Sequence, residues 1–580
     1  KIKVRCDYLM RSKPLYDVRQ IKDLKDLLES SCKLYADKPA FLVKHAPGTQ
    51  YKPVTYKELY NDVNALGTAF LDLGLKNRSI ALIGENRYEW AVTYLAAVNG
   101  SCIIVPLDKE LPPHEIKNLV TRAKADAIVF SGKNLSVIQS LAGQIDFIKY
   151  FICMDDNFDN ENFISYCNLI EKGRKLVEEG DTRFADTEIN IDEMSILLFT
   201  SGTTDISKGV MLSHRNIAAN IMSMCTMVYV DSKDVFLSVL PIHHAYECTC
   251  GFLCALYLGS TIAFCEGLRH IQKNLIESKA SIMLGVPLIF EAMYNRIWDQ
   301  ASKNPKTLRK LKIGLKISNL LKKINIDISK KLFKPIHDNF GGHIRFFISG
   351  AAGIDPVVAK GFRDFGIGFV QGYGLTECAP IVALNRDVQY KDDAAGLPLP
   401  GTEVKIVDKD SEGIGEIVVK GPNVMLGYYE NPEATEEAFK DGWFHTGDLG
   451  YIDKDGFVHI TGRKKSVIVT KNGKNVFPEE IETLLNKHKY IKESLVYGKN
   501  DESSGDIVIS AIIVPDMDKI NELYPGNSYN MEEIKDDIRQ YVKEINKSLV
   551  TYKHIKNVEF RYEEFEKTTT RKIKRYVVNK

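Results

Sequence analysis

The sequence predicts an α/β protein: a large N-terminal domain of parallel-type sheets covered by helices, an antiparallel β subdomain, and a small α+β C-terminal domain. Three observations carry this. Through the first two thirds, continuous apolar and β-branched runs alternate with helical patterns, as strands buried on both faces by crossover helices do. From about residue 401 the texture changes to short alternating segments separated by glycine and acidic turns, the mark of antiparallel pairing. After residue 462 helix and strand patterns mix over a stretch the size of a separate folding unit.

The elements follow in order. SIALIG (79–84), RYEWAVTYLAAV (87–98) and CIIVPL (102–107) make one strand, helix, strand unit, and AIVFS (127–131) and FIKYFICM (147–154) continue the theme. Ile196, Leu197 and Leu198 form a further strand-like run. CGFLCALYL (250–258) reads as a helix and TIAFC (261–265) as a strand, divided by Gly259 and Ser260. TEVKIVD (402–408) and GEIVVKG (415–421) are the antiparallel segments. In the last part, PEEIETLLNKH (478–488) and MEEIKDDIRQYVKEI (531–545) read as helices, and SLVYG (494–498) and IVISAIIVP (507–515) as strands.

Composition narrows the function classes. With 580 residues the chain exceeds one compact core and suggests three or four folding units. A net charge of +1 gives no global electrostatic case for nucleic acid. The eleven cysteines are odd in number, scattered and without a CxxC pair, which points to a reduced, cytoplasmic chain. Cys248, Cys250, Cys254 and Cys265 cluster without histidine at ligand spacing and read as buried apolar thiols. Residues 248–265 are uncharged, but the Gly259 and Ser260 break reads them as a core helix and strand rather than a span.

Five short runs carry chemistry. FTSGTTDISKG (199–209) gathers Thr200, Ser201, Gly202, Thr203, Thr204 and Lys208 behind a strand, the composition of a phosphate cradle. Its spacing differs from the Walker A pattern, and a Ser/Thr/Gly surface turn with one lysine has the same composition. In GYGLTE (372–377), Tyr373 offers an aromatic face for a purine, Thr376 a hydroxyl for an α-phosphate and Glu377 a hard oxygen for Mg²⁺. Read alone, it is also a glycine-rich turn with a capping threonine. WFHTGD (443–448), GRKK (462–465) and KTTTRKIKR (567–575) follow in that order.

Together these runs resemble the adenylate-forming superfamily of acyl-CoA synthetases, peptide adenylation domains and luciferases, over residues 56–575. The resemblance implies a large adenylation domain (1–462, with its β subdomain at about 401–462) and a small mobile domain (463–580). It implies that Thr200, Ser201, Gly202, Thr203, Thr204 and Lys208 hold the β and γ phosphates of ATP. Gly350 and Ala351 in SGAAG, with Gly372, Tyr373 and Gly374, would wall the adenine. Asp448 would accept the ribose hydroxyls, and Arg463 would reach ribose or phosphate. Lys572 would be the cation that bridges carboxylate and α-phosphate, with Lys574 as the competing candidate. Lys465 would be the hinge, and Gly473 in KNGKN (471–475) would line the CoA channel. The chain departs from the family pattern at Asp205, Ser207, Glu566 and Arg571.

LPIHHAYE (240–247) and GVPLIFEAM (285–293) look most like the long-chain fatty acyl-CoA synthetases, which implies an acyl pocket beside His243 and His244. Residues 306–334 hold ten basic residues against one acidic, with isoleucine and leucine at helical spacing, so a weak peripheral contact with the inner membrane surface stands beside an ordinary solvated helix. The expected activity is an ATP- and Mg²⁺-dependent fatty acid–CoA ligase. The alternatives are transfer to a carrier protein and a silent acyl or nucleotide sensor.

Overall fold

The computed structural model describes residues 13–155, 163–200, 207–469, 474–501, 506–526 and 528–567, together with Ile573 and Arg575. Two large sheets dominate. One has eight strands, in the order Gly427–Tyr428, Lys208–Ser213, Met194–Thr200, Ile103–Leu107, Ser79–Ile83, Ala125–Phe130, Tyr150–Cys153 and Phe163–Ser165. From Met194–Thr200 onward all neighbours are parallel. Continuous burial of Ile80, Ala81, Leu82 and Ile83 explains the unbroken apolar run in sequence: both faces of the strand are covered. The helix Tyr88–Asn99 is buried almost all round because the strands Ser79–Ile83 and Ile103–Leu107 and the helices Leu24–Tyr35 and Tyr56–Asp72 pack around it.

The second sheet has nine strands, six of them a parallel block: Gly368–Gly374, Phe346–Ser349, Ile282–Gly285, Val235–Ser238, Thr261–Phe264 and Pro39–Val43. Antiparallel strands flank the block at both edges, Ile381–Leu384 on one and Lys52–Thr55 on the other. The antiparallel sheet expected from about residue 401 is built from Glu403–Val407, Gly415–Lys420, Phe439–Lys440, Trp443–Ile452 and Val458–Arg463.

The C-terminal part has its own core. Ile481, Leu485, Ile534, Ile538 and Val542 pack on a three-stranded sheet of Ile491–Asp501, Asp506–Pro515 and Ile555–Phe560. The helices Pro478–Leu485 and Met531–Ser548 supply those residues from their apolar stripes.

Two local expectations change in detail. The first turns of the 250–258 segment are not α-helical: Glu247–Leu253 winds as a π-helix, followed by an α-helix Cys254–Leu258 that ends at Gly259 with φ of 73°. The wide turn houses the buried Glu247 carboxyl, and a Cβ on Gly251 would lie 2.7 Å from it. Among the described residues no helix is long and apolar enough to cross a membrane. The basic segment is also not one helix. Pro305–Lys322 is capped by Asn304, and the chain then breaks through Asn325, at φ of 59°, into the short helices Ser329–Leu332 and Lys334–Asn339.

Candidate active site

The carboxyl ends of the parallel strands in both sheets supply the chemistry-bearing residues, as the crevice rule for open α/β sheets requires. Phe346–Ser349 delivers Gly350 and Ala351, Gly368–Gly374 delivers Tyr373 and then Thr376, and Met194–Thr200 ends at Thr200. Ile103–Leu107 is followed by Asp108, and Val235–Ser238 leads to His243 and His244.

Glycine is needed here for space. A Cβ at Gly374 would meet the Pro380 carbonyl oxygen at 2.1 Å, and one at Gly350 would meet the Tyr246 ring at 2.7 Å. Gly372 is tight against Leu384, and Ala351 adopts a φ of 71°. Tyr246 is fixed in turn by donating its hydroxyl to the Ile348 carbonyl at 3.1 Å.

Tyr373, Asp448 and Arg463 form one linked group. The Tyr373 hydroxyl donates to Asp448 Oδ2 at 2.6 Å, and Arg463 Nε lies 2.7 Å from Asp448 Oδ1. The arginine and aspartate face each other as register partners on antiparallel strands, so the pairing is set by the sheet itself. Asp448 therefore sits inside the strand Trp443–Ile452, not in a turn, and is buried. Burial first, and the Asp448 carboxylate second, push the Tyr373 phenol well above its ordinary value, so it stays a proton donor.

A second group surrounds Glu377. Tyr428 donates its hydroxyl to Glu377 Oε1 at 3.0 Å, and Lys208 Nζ sits 4.5 Å from the centre of the Tyr428 ring. Lys208 begins the strand Lys208–Ser213, paired with Met194–Thr200 so that Lys208 faces Thr200. The hairpin brings Lys208 and the Thr200 hydroxyl to one end of the sheet, and Tyr428, on the neighbouring strand, links Lys208 to the Glu377 carboxylate. A carboxylate oxygen at such a place suits Mg²⁺, which takes hard oxygen ligands. Ser201, Gly202, Thr203 and Thr204, between the two strands, lie outside the described residues, as do Gly473 and Lys572.

Glu416 is buried at the foot of the β subdomain. It accepts from Lys464 Nζ at 2.8 Å and from the Gly447 backbone at 3.2 Å, with His445 Nδ1 at 3.1 Å. Burial opposes its charge, but Lys464 and His445 outweigh that and hold its carboxyl below the ordinary range. Lys465 follows in the 3₁₀ turn Lys464–Ser466, directly after the strand bearing Arg463. Lys567 and Ile573 are bridged, Lys567 pairs with Glu493 and Glu564 at 2.7 Å each, and Arg575 pairs with Glu482.

The sequence alone does not mark Asp108, Tyr428, Glu416 or Tyr246. All four act through partners distant in sequence, so no local motif marks them.

The chain matches the model of the AMP-binding enzyme family over residues 28–429 and that of the AMP-binding enzyme C-terminal domain over residues 480–572. It is 29% identical over 552 residues to fatty acyl-CoA synthetase B of Dictyostelium discoideum, covering 89% of this chain and 80% of that one. Fatty acyl-CoA synthetase A of the same organism is 30% identical over 507 residues, covering 82% and 73%. The long-chain-fatty-acid–CoA ligase of Salmonella typhimurium is 28% identical over 534 residues, covering 85% and 86%. Among solved structures, ATP-bound MatB from Rhodopseudomonas palustris superposes with a TM-score of 0.71 at 25% identity, over 96% of this chain and 98% of that one. The anthranilate CoA ligase AuaEII bound to anthranoyl-AMP gives 0.75 at 20% identity, over 98% and 97%.

Proposed function

The chain belongs to the AMP-binding enzyme family, and from that premise we propose that it is an ATP-dependent fatty acid–CoA ligase. The fatty carboxylate attacks the α-phosphorus of ATP and pyrophosphate leaves, giving an acyl-adenylate. The CoA thiol then attacks the acyl carbon, loses its proton and expels AMP. The observation that carries this reading is the linked Tyr373, Asp448 and Arg463 group, whose aromatic face, carboxylate and guanidinium are the set a nucleoside monophosphate requires.

In this reading Asp448 accepts the ribose hydroxyls and Gly350, Ala351, Gly372 and Gly374 let the backbone close on adenine. Thr376 donates to the α-phosphate, while Thr200, Ser201, Gly202, Thr203, Thr204 and Lys208 hold the β and γ phosphates. Mg²⁺ held by Glu377 would neutralise phosphate charge. Lys572 carries the charge that develops as the carboxylate attacks. His243 and His244 border the acyl chain and Gly473 the CoA channel.

We place the domain division at 1–462 and 463–580, with 401–462 as the β subdomain and Lys465 as the pivot. The separate core of the C-terminal part supports it. The helix Pro305–Lys322 supports a peripheral contact with an anionic bilayer, because it has two apolar faces. Gly314 and Ser318 are buried and Leu311 and Leu315 pack on the core, while Ile313, Ile317 and Leu320 point the other way among exposed lysines.

Pyrophosphate release measured across a panel of fatty acid chain lengths, with and without CoA, tests the proposal. Turnover to acyl-CoA with medium to long chains is expected. Release that needs a phosphopantetheine carrier in place of CoA would favour the carrier-loading alternative, and no release with any acid would favour a sensor.

A further inference from the structure

Asp108, His243 and His244 meet where the two large sheets adjoin. One ligand-type atom from each lies within 4.8 Å of the others. His243 Nε2 is 3.6 Å from Asp108 Oδ2, and the two imidazole rings are 4.1 Å apart between centres. Both Nε2 atoms are buried and neither has a hydrogen-bond partner among the described residues; His243 is only 8% exposed. A histidine that serves only the core looks different. His214 is also buried, yet its Nδ1 accepts from the Leu24 backbone at 3.1 Å and its Nε2 lies 3.2 Å from the Val98 carbonyl. Two orphaned buried ring nitrogens beside one carboxylate cost stability unless something joins them.

The three groups are held in place before any ligand arrives. Asn86 accepts the Ile242 backbone N–H at 3.0 Å and donates to the Leu240 carbonyl at 2.7 Å, which pins the histidine loop. Asp108 spends one oxygen on the Glu110 backbone at 2.9 Å and turns the other toward His243. A gap of 3.6 Å is long for a hydrogen bond but close to the edge of a zinc tetrahedron, where bonds of about 2.0–2.2 Å set ligand atoms roughly 3.3–3.6 Å apart.

We propose that Asp108, His243 and His244 form a binding site for a divalent transition cation of the zinc class, held by two imidazole nitrogens and one carboxylate oxygen with a fourth position open. Mg²⁺ and Ca²⁺ fit poorly, since two of the three donors are nitrogen. Its three donors do not include Glu377, and none of them is a nucleotide atom. One consequence rests on the function proposed above: because His243 and His244 also border the acyl chain there, the cation competes with the fatty acid.

Chelator-treated full-length protein is titrated with Co²⁺, whose visible spectrum reports tetrahedral coordination, and then with Zn²⁺. One equivalent of Co²⁺ per chain is expected, displaced by Zn²⁺ and not by Mg²⁺. Asp108→Asn and His243→Gln should each weaken uptake at least tenfold while the metal-free melting temperature stays near that of the parent. Absent uptake overturns the proposal, as does uptake unchanged in both variants or carrying the charge-transfer bands of thiolate ligation. If one variant fails to fold, the other and His244→Gln decide. Zn²⁺ should also inhibit acyl-CoA formation and raise the KM for fatty acid. Tight cobalt binding without that inhibition leaves the metal site standing and counts against the acyl-pocket reading alone.

Discussion

Asp448 accepts from a tyrosine on one oxygen and faces an arginine on the other, so its two neighbours test different things. Tyr373→Phe keeps the ring for stacking and loses one hydrogen bond, and the KM for ATP in pyrophosphate exchange should rise several-fold, about 1 kcal/mol. Asp448→Asn loses the charge that Arg463 faces, and should cost roughly ten- to a hundredfold in the same assay. Equal effects would mean the carboxylate does not touch nucleotide. Lys572→Ala should lower acyl-adenylate formation by about two to three powers of ten yet leave thioester formation from supplied acyl-AMP largely intact. Normal adenylation in that variant, with loss in Lys574→Ala, would move the role to Lys574. At this scale the motifs were legible because each needs particular residue types at short spacing. Asp108 and Tyr428 were not, since their partners His243 and Glu377 lie far along the chain.

Helices and strands were readable where a period was clean. The strands Ser79–Ile83 and Ile103–Leu107 and the helix Tyr88–Asn99 fall within a residue or two of the apolar runs that predict them. The π-helix Glu247–Leu253 was not, because its register depends on making room for a buried carboxyl rather than on a 3.6-residue repeat. That carboxyl gives the element a pH signature. Burial pushes Glu247 up to about 8, while in the unfolded chain it titrates near ~4.3. Below the lower value both states are protonated and the native state keeps its full advantage. As pH rises from there toward about 8 the unfolded chain alone becomes charged, so stability falls by up to about 1.4 kcal/mol per pH unit. Glu247→Gln should lack this loss, and denaturant melts of both proteins at pH 5 and pH 8 measure it. Parallel pH profiles would mean the carboxyl is charged when folded. The 3₁₀ turn after Arg463 makes its own prediction. Lys465→Pro should slow thioester formation while sparing adenylation, since proline fixes φ at a pivot; equal losses in both half-reactions would place the pivot elsewhere.

Over the whole molecule the charge is nearly balanced, so the basic face of Pro305–Lys322 is a local feature and its effect should be separable from catalysis. Leu320 and Ile324 are 66% and 63% exposed, and changing both to glutamate should abolish co-sedimentation with phosphatidylglycerol vesicles while leaving turnover on soluble fatty acid unchanged. Retained sedimentation in the double variant, or equal binding to neutral vesicles, would sink the lipid contact. The separate core of the C-terminal part was readable from its mixed pattern, whereas how the two large sheets share one crevice was not, because sheet adjacency is set by long-range packing. Glu416 gives that architecture a further property. One buried carboxylate is tied to Lys464, beside the proposed pivot, and to Gly447, beside the proposed ribose ligand Asp448. Two sites that pull on a shared group obey reciprocity: whatever factor nucleotide applies to the pivot's equilibrium, the pivot applies to nucleotide affinity. A substitution in the turn that biases the small domain toward the orientation nucleotide favours should therefore tighten nucleotide binding, and one that biases it the other way should weaken it, in each case by no more than the ratio of the two orientations' affinities.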